Sequence, residues 1–312
     1  MLQHAVKIET VQTDTRRLKI GWNGVHWIVD VVGCEGLFAD LQKILRGWNI
    51  VEQPVTETIE PAMVFSRVGD VYDWKLPAND LTAEKLFGYP ESTAGAVRDF
   101  HFLFNGWFGD EFQQYFALHC AAVMVGDGVV LFPGAHRAGK SLLTVALAAS
   151  GHMVFGDDVV AIDPAGNKAL SLGMLPRIRL PLPPQAVGQD LRDFLDMHAI
   201  LGDVEQQYLD LEAGQLAHVG KSLPIKAIVQ LKRSNKAGSA SLDDVTNGSA
   251  LRALICQNYS TGMPASSVFD HLHRIVEGAS CHCMTYHKID DAVSLLEAAF
   301  DRRVSDQTGV GQ

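Results

Sequence analysis

The amino-acid sequence predicts an α/β fold: a mixed sheet flanked by helices, preceded by a smaller α+β region. In the first part of the chain, β-rich runs pair across glycine-containing turns, which predicts hairpins beside a short helix. From about residue 111 onward, β-rich runs alternate with runs of helical spacing, which is typical of a sheet covered by helices. We therefore expect an α+β region at residues 1–110, an α/β domain at residues 111–303 and a disordered tail at residues 304–312.

Length and composition limit the classes of protein to which the chain can belong. Its 312 residues suit about two domains, and a hydrophobic content of 47% is enough for a sizeable core. The net charge of −10 argues against nucleic acid or an anionic membrane as the main partner. No apolar run approaches the roughly 20 residues that span a bilayer, and the first residues hold no signal-peptide core. The five scattered cysteines favour reduced thiols, so we expect a cytoplasmic protein.

The N-terminal region contains two predicted hairpins. Residues 16–32 hold two β-rich runs around Asn23-Gly24, the pair favoured in a type I′ turn. Residues 62–68 and 71–76 form a second such pair. Between the hairpins, residues 36–48 place leucine and isoleucine at helical spacing.

The remaining elements are predicted from the same patterns. Residues 93–116 are aromatic-rich and helical, with a break near Asn105-Gly106, and we expect their aromatic rings to pack in the core. Residues 175–184 are proline-rich and contain Arg177 and Arg179. We expect strands at residues 153–155, 159–163, 168–172, 223–231 and 281–287, and helices at residues 190–200, 249–258, 266–277 and 290–302.

A phosphate-binding motif lies between a predicted strand and a predicted helix. The β-type run at residues 129–132 leads into it, and the helix-forming run at residues 142–149 leads out and stops at Gly151. Glycines let the backbone curl around an anion, and the exposed N–H groups and the helix dipole then attract phosphate. The motif reads G-x-x-x-x-G-K-S, a P-loop, and consists of Gly134, Ala135, His136, Arg137, Ala138, Gly139, Lys140 and Ser141.

Side chains in and after this motif can bind the rest of a nucleotide. Lys140 would reach the β- and γ-phosphates, and Ser141 would ligate Mg²⁺. Leu142 follows the Lys-Ser pair, and we group it with the nucleotide-binding residues. His136 and Arg137 are bulky for such a loop, and we expect them to point outward. The motif predicts nucleotide binding, but it identifies no reaction and does not choose between ATP and GTP.

Two adjacent carboxylates narrow the chemistry. Asp157 and Asp158 follow the predicted strand after the P-loop helix. A carboxylate at such a strand end can hold Mg²⁺ or accept a proton from an attacking hydroxyl. If the strand alternates there, the two side chains point to opposite faces, so that only one of them faces the transferred phosphate.

The segment from residue 119 to residue 163 resembles the catalytic core of the HPr kinase/phosphorylase family. His119 stands before the P-loop at the family's spacing, and a glycine-containing turn follows it. After the P-loop come Gly151-His152, a short apolar run and Asp157-Asp158, as in the family. The resemblance implies a P-loop kinase domain with a fold related to phosphoenolpyruvate carboxykinase, and it implies that the chain can form a homo-oligomer.

The resemblance also implies a role for each matching residue. Lys140 and the loop amides would hold the β- and γ-phosphates of ATP, and Ser141 would hold Mg²⁺. Asp157 would be the base for a serine-type hydroxyl, and Asp158 would support the metal or the base. His119 would lie near the phosphates, although a hydrogen-bonded histidine at a strand edge is an equal interpretation of that residue.

The sequence departs from the family at two places. Leu142 stands where the bifunctional enzymes have a glutamate, and residues 173–181 lack their Glu-x-Arg-Gly signature. The resemblance therefore does not extend to reverse phosphorolysis, or to HPr itself as the substrate. Arg177 or Arg179 in this stretch can instead stabilise the transferring phosphate, as an arginine finger does, or be solvated.

Three functions remain open at this stage. The first is a Mg²⁺·ATP-dependent phosphotransferase that acts on a hydroxyl, such as a serine of a protein or peptide. The second is a kinase for a small-molecule alcohol, and the third is a non-catalytic nucleotide-binding regulatory module. A loose basic stretch that includes Lys232 and Arg233 is either solvated surface or a contact for an acidic substrate.

Overall fold

The computed structural model describes residues 14–56, 59–79, 81–134, 138–163, 165, 167–184, 186–260 and 263–301. The chain divides into two compact units. The first unit is Met1–Gln42 with Asn49–Ala96, and the second is Lys43–Trp48 with Val97–Gln312. The predicted domain limits stay predictions, and the tail predicted at residues 304–312 lies outside the described residues.

The first unit is built on a six-stranded mixed sheet with the strand order β3-β1-β2-β4-β5-β6. β2 and β4 are parallel, and the other neighbours are antiparallel. A short 3-10 turn at Pro77–Asn79 precedes β6. The elements are β1 (Thr15–Trp22), β2 (Val25–Val32), α1 (Glu35–Lys43), β3 (Asn49–Gln53), β4 (Met63–Val68), β5 (Val71–Leu76), β6 (Leu81–Thr82) and α2 (Ala83–Leu86).

Local turn chemistry and one buried ion pair fix the register of the first hairpin. Asn23 and Gly24 have φ angles of 50° and 82°, the positive values that a type I′ turn needs, so the predicted hairpin is confirmed. Arg17 and Asp30 lie directly opposite each other on β1 and β2. The Arg17 guanidinium donates to both Asp30 oxygens, at 2.6 and 2.7 Å, and both side chains are almost fully buried. A one-residue slip of this hairpin would separate the two buried charges.

The second unit contains most of the longest helix and all later elements. The first turn of that helix belongs to the first unit. Within the described ranges, no helix is both long enough and apolar enough to cross a membrane. The elements are α3 (Thr93–Glu111), β7 (Phe116–Leu118), β8 (Cys120–Val125), β9 (Gly128–Pro133), α4 (Lys140–Ala149), β10 (Met153–Gly156), β11 (Val160–Asp163), β12 (Lys168–Leu170), β13 (Arg177–Arg179), α5 (Gln189–His198), β14 (Ala199–Gly202), β15 (Gln206–Leu209), β16 (Ser222–Arg233), β17 (Ser241–Asp244), α6 (Asn247–Ile255), α7 (Ala265–Gly278), β18 (Ser280–Tyr286) and α8 (Ile289–Phe300).

A nine-stranded sheet organises the second unit. Its main path is β10-β8-β9-β16-β12-β11-β7, with β18 beside β16 and β17 beside β18. β16 is parallel to β9 and to β18, whereas the remaining pairs are antiparallel, which confirms the predicted mixed α/β sheet. A separate three-stranded sheet has the order β13-β15-β14.

The core lies on the faces of this large sheet. All six residues of β9 are buried, as expected for a central strand covered on both sides. Leu254 of α6 and Leu272 of α7 pack in one cluster with Val129 and Leu131 of β9. α4 contacts β8, β10 and α8. The strand that leads to the P-loop motif is therefore buried along its whole length.

Several predictions about helices were wrong in detail. The helices predicted at residues 36–48 and 249–258 end earlier, at Lys43 and Ile255. α3 runs through Asn105 and Gly106 without the predicted break, and it ends at Glu111, so that Phe116 belongs to β7 instead. Aromatic side chains of α3 such as Phe104 and Phe108 are almost fully buried. Their packing outweighs the low helix propensity of the Asn-Gly pair. The helix predicted at residues 190–200 ends earlier, at His198, because the chain enters β14 there.

Candidate active site

The candidate site forms at one edge of the large sheet. β16 runs parallel to β9 and β18. β10 has the same direction as β9, because each of them is antiparallel to β8. The C-terminal ends of β9, β10, β16 and β18 therefore meet at one edge, together with the start of β8. Ligands of open α/β sheets bind in crevices at the carboxyl ends of strands.

The helix that follows β9 begins at a glycine for which no other residue can substitute without strain. Gly139 caps α4 with a φ of 95°, a left-handed conformation that residues with a Cβ rarely adopt. A Cβ at this position would also lie 2.5 Å from the hydroxyl oxygen of Tyr286. The first N–H groups of a helix have no intrahelical partners, and together with the helix dipole they attract anions. The start of α4 is therefore suited to an anionic ligand.

The far end of α4 is fixed by a second glycine, as predicted. Gly151 has a φ of 88°, and its N–H donates to the carbonyl of Ala148 at 2.9 Å. The N–H of His152 donates to the carbonyl of Leu147 at 3.0 Å, which completes a Schellman motif. Because most side chains between the two glycines are buried, core packing sets the position of the first turn of α4.

Lys140, the first residue of α4, is held across the loop that precedes it. Its side-chain nitrogen donates to the carbonyl of Gly134 at 2.7 Å. Only 8% of the residue is exposed, and this burial lowers the pKa of Lys140 against the opposing effect of Asp158. The ammonium group thus lies close to the backbone of the motif. Three predicted nucleotide-binding residues of this loop lie outside the described residues, namely Ala135, His136 and Arg137.

Asp157 is buried directly after β10. One of its oxygens, Oδ2, accepts a hydrogen bond from the backbone N–H of Arg177 at 3.1 Å. The other oxygen, Oδ1, is buried and has no hydrogen-bond partner among the described residues. Burial and the neighbouring Asp158 raise the pKa of Asp157 to about 6, although the Arg177 N–H and the Ser141 hydroxyl act in the opposite direction. The site thus favours the protonated form of Asp157 more than water does.

Asp158 has the opposite environment. Its side chain is 60% exposed, and its Oδ1 lies 2.9 Å from Nε2 of His119. Desolvation within the crevice raises the pKa of Asp158, but the hydrogen bond and charge of His119, with the charges of Arg177 and Lys140, outweigh it and lower the pKa to about 2. The backbone N–H of His119 donates to the carbonyl of Gln257 at 2.7 Å, which anchors the histidine. Asp158 is thus an accessible, fully ionised carboxylate.

A crevice of about 450 Å³ brings most of the predicted residues together. Asp158, Lys140 and His119 line it, whereas Asp157 lies behind its described wall. The other wall is an apolar segment that follows β13. The complete described lining is His119, Ala138, Gly139, Lys140, Ser141, Leu142, Asp158, Ile178, Arg179, Leu180, Pro181, Leu182, Pro183 and Arg233.

The structure gives different surroundings to Arg177 and Arg179, the two arginines that the sequence left as alternatives for the phosphate contact. The Arg177 guanidinium donates to Oε1 of Gln206 at 2.7 Å, and its backbone holds Asp157. Arg179 instead is exposed and lines the crevice, where its charge opposes protonation of Lys140. Of the two, Arg179 therefore matches the position expected of a residue that contacts transferring phosphate.

Sequence reasoning missed several residues near the site. Arg233 was grouped with a loose basic stretch, and Tyr286 was part of an ordinary strand pattern. His101 and Tyr208 pack edge-to-face beside Arg177's strand, with ring centroids 5.3 Å apart. Burial lowers the pKa of His101 to about 3, so its imidazole is neutral at pH 7. These residues reach the site through strand pairings that are far apart in sequence, and no local motif marks them.

Comparison with known proteins gives matches among solved structures. No family model and no curated protein matches this sequence. The structure is similar to that of the Hpr(Ser) kinase/phosphatase from Coxiella burnetii, with 13% sequence identity and a TM-score of 0.29. The match covers 62% of this chain and 99% of that chain. A likeness at this TM-score establishes neither family nor function.

Proposed function

We propose that this chain is a Mg²⁺·ATP-dependent phosphotransferase that acts on a hydroxyl group, such as a serine of a protein or peptide. One observation carries the proposal: the helix N-terminus that bears Lys140 and Ser141 lies at the same edge of the sheet as two adjacent carboxylates. Asp157 is buried and has a raised pKa, whereas Asp158 is exposed and has a lowered pKa. Phosphoryl transfer needs little covalent help from the protein, and depends on positioning and on neutralising charge. These are the functions that the residues at this edge can supply.

The described part of the loop and the first turn of α4 would bind the phosphates. The left-handed Gly139 exposes the N–H groups of the first turn, and Lys140 adds a positive charge beside them. Leu142 lines the crevice one residue beyond Ser141. Arg179 would neutralise charge on the transferring phosphoryl group from the opposite wall.

The residues present also fit a magnesium ion. Ser141 and Asp158 both line the crevice and offer a hydroxyl and an ionised carboxylate, the hard oxygen ligands that Mg²⁺ prefers. When bound, the ion would neutralise negative charge on the β- and γ-phosphate oxygens. His119 would hold the Asp158 carboxylate in place through its 2.9 Å contact.

Asp157 is the proposed proton acceptor. Its raised pKa, about 6, matches the requirement that a general base titrate near the working pH. The hydroxyl oxygen of the acceptor would form a bond to the γ-phosphorus as the bond from that phosphorus to the β,γ-bridging oxygen breaks. The hydroxyl proton would pass to the carboxylate of Asp157 through one water, because that side chain is buried and does not itself line the described crevice. When two neighbouring carboxyl groups have different pKa values, one commonly exchanges the proton while the other stays ionised.

A labelling experiment tests the proposal. The purified protein is incubated with γ-labelled ATP, Mg²⁺ and a lysate of the source organism, beside the variants Lys140→Ala and Asp157→Asn. Asp127→Asn is the matched control, because Asp127 is an exposed carboxylate in the turn between β8 and β9. We expect label in a protein band with the wild type and with Asp127→Asn, and loss of that label with both site variants.

Other outcomes point to other functions. Label in small molecules alone would identify a metabolite kinase. Nucleotide binding without any transfer would favour a regulatory module. Full transfer by Asp157→Asn would show that the base is wrongly assigned, and Asp158→Asn would then be the next variant to assay.

A further inference from the structure

Arg233 is the last residue of β16, and it lines the candidate crevice. Residues of a strand point alternately to opposite faces, so its neighbour Lys232 points away from the face that Arg233 occupies. Lys232 pairs with Thr285 on β18, whereas Arg233 pairs with Tyr286. The structure therefore brings one residue of the basic stretch, Arg233, to the site. Among the described residues, Lys232 does not line the crevice.

The strand partner of Arg233 contacts the phosphate-binding loop directly. The Tyr286 hydroxyl lies 3.5 Å from the carbonyl oxygen of Ala138, and it fills the space where Gly139 would carry a Cβ. Burial raises the pKa of Tyr286 to about 12, and the nearby charge of Arg233 opposes that shift. Arg233 is therefore paired across the sheet with a residue that contacts the end of the loop before α4.

The crevice is positively charged although the protein is acidic. The whole chain has a net charge of −10. The described crevice lining nevertheless includes Lys140, Arg179 and Arg233 against a single carboxylate, that of Asp158. Such a local excess of positive charge in a crevice concentrates anions there, against the field of the rest of the molecule.

We propose that Arg233 binds the phosphate chain of the nucleotide, from the side of the crevice formed by β16 and β18. This inference rests on the proposed function and extends it, since it names a phosphate contact outside the P-loop. A guanidinium presents a planar fork of donors that matches phosphate oxygens, and its bonds to phosphate are charge-assisted. Arg179 would approach the same chain from the opposite wall.

Direct binding measurements test this contact without any knowledge of the acceptor. Dissociation constants for MgATP and for inorganic tripolyphosphate are measured by calorimetry with the wild type, Arg233→Ala, Arg233→Lys and Lys232→Ala. The last variant removes the same charge from the same strand end, on the other face. The melting temperature of each variant shows that it is folded.

We expect Arg233→Ala to weaken both ligands by about 10- to 100-fold, the usual effect of losing a hydrogen bond to a charged group. Arg233→Lys should retain part of the affinity, because an ammonium group supplies charge without the fork. Lys232→Ala should change either affinity by less than about twofold.

Three results would overturn the inference, and they are distinguishable. If Arg233→Ala binds both ligands as tightly as Lys232→Ala does, Arg233 makes no contact. If it loses affinity for MgATP alone, Arg233 contacts the base or the ribose instead of the phosphates. If the folded wild type binds neither ligand, the proposed function itself is wrong, and the inference falls with it.

Discussion

Gly139 offers a test of how the backbone before α4 supports the proposed binding of MgATP. Replacing it by alanine adds one methyl group and changes no charge. The new residue must adopt a φ of 95°, and its Cβ would lie 2.5 Å from the Tyr286 hydroxyl oxygen. Either Tyr286 or the loop backbone has to move. Because Tyr286 is almost fully buried, we expect the loop to move and the binding of MgATP to be lost.

Gly139→Ala has two energetic costs, the strain of the left-handed backbone and the clash of the new methyl group, and each can be estimated separately. The left-handed conformation of a residue with a Cβ costs roughly 1–2 kcal/mol. Forcing an extra group into a packed region costs about 1–3 kcal/mol more. Gly151 is a matched control at the other end of α4: its φ is 88°, but a Cβ added there would meet no described atom within 4 Å beyond its own chain neighbours. Gly151→Ala should therefore lose only about 1–2 kcal/mol and should still bind MgATP.

A second substitution isolates the clash. With Tyr286→Phe, the nearest remaining ring atom, Cζ, lies 3.7 Å from the Cβ position at residue 139, which is ordinary van der Waals contact. The double variant Gly139→Ala/Tyr286→Phe should then lose about as much free energy of unfolding, measured in urea, as Gly151→Ala does. It should also recover part of the affinity for MgATP that Gly139→Ala loses. Equal stability losses in Gly139→Ala and Gly151→Ala, or no recovery in the double variant, would refute the reasoning.

Three further predictions follow from buried groups of the two units. Asp157→Asn should stabilise the protein at pH 7 by up to about 3 kcal/mol, because the folded state raises the Asp157 pKa from 3.8 to about 6. The penalty for the ionised carboxylate is complete above pH 6 and vanishes below the unfolded pKa, so urea unfolding should show no gain at about pH 3. Arg17→Ala leaves Asp30 buried and unpaired, and should lower the free energy of unfolding by about 3–5 kcal/mol. Arg16→Ala, at a half-exposed pair whose guanidinium also lies over the Phe38 ring, should lower it much less. Arg177→Pro removes the backbone N–H that donates to Asp157, whereas Arg177→Ala keeps it. The rate of phosphoryl transfer should therefore be lower in the proline variant than in the alanine variant. Equal rates in the two variants would contradict the assigned role of that N–H.

The Arg177→Pro comparison is informative because of the register of β13 and β15. The N–H of Leu209 donates to the carbonyl of Pro176, and the N–H of Leu180 donates to the carbonyl of Glu205. Alternate residues of β13 therefore make the ladder bonds, and the N–H of Arg177 points away from β15 toward Asp157. A proline at this position of an edge strand removes no bond of the sheet.

The parts of the fold that local rules determine could be predicted from the sequence. The Asn23-Gly24 turn needs only its own two residues. The limits of α4 follow from glycines at both ends, and the placing of Asp157-Asp158 after a strand follows from a short apolar run. In each case the deciding interaction spans only a few residues of the chain.

The remaining features depend on pairings between distant residues. Arg177 and Arg179 share one face of β13, and only the position of that strand beside Asp157 distinguishes their roles. Lys232 and Arg233 are adjacent and chemically alike, and the register of β16 with β18 decides which one faces the crevice. The break predicted in α3 failed for a similar reason, because tertiary packing of its aromatic residues outweighs local propensity.

The contrast between the two adjacent carboxylates has its origin in the glycine that precedes them. A Cβ at Gly156 would lie 2.6 Å from the carbonyl oxygen of Val159, so only glycine allows the chain to fold back so tightly after β10. The tight turn buries Asp157 against the backbone of Arg177 and leaves Asp158 exposed beside His119. Burial of the first group and the contact of the second with His119 then separate the pKa values of two chemically identical side chains, to about 6 and about 2. A proton acceptor and a metal ligand need opposite proton affinities, and we infer that the backbone of this turn, more than either side chain, makes the proposed division of roles possible.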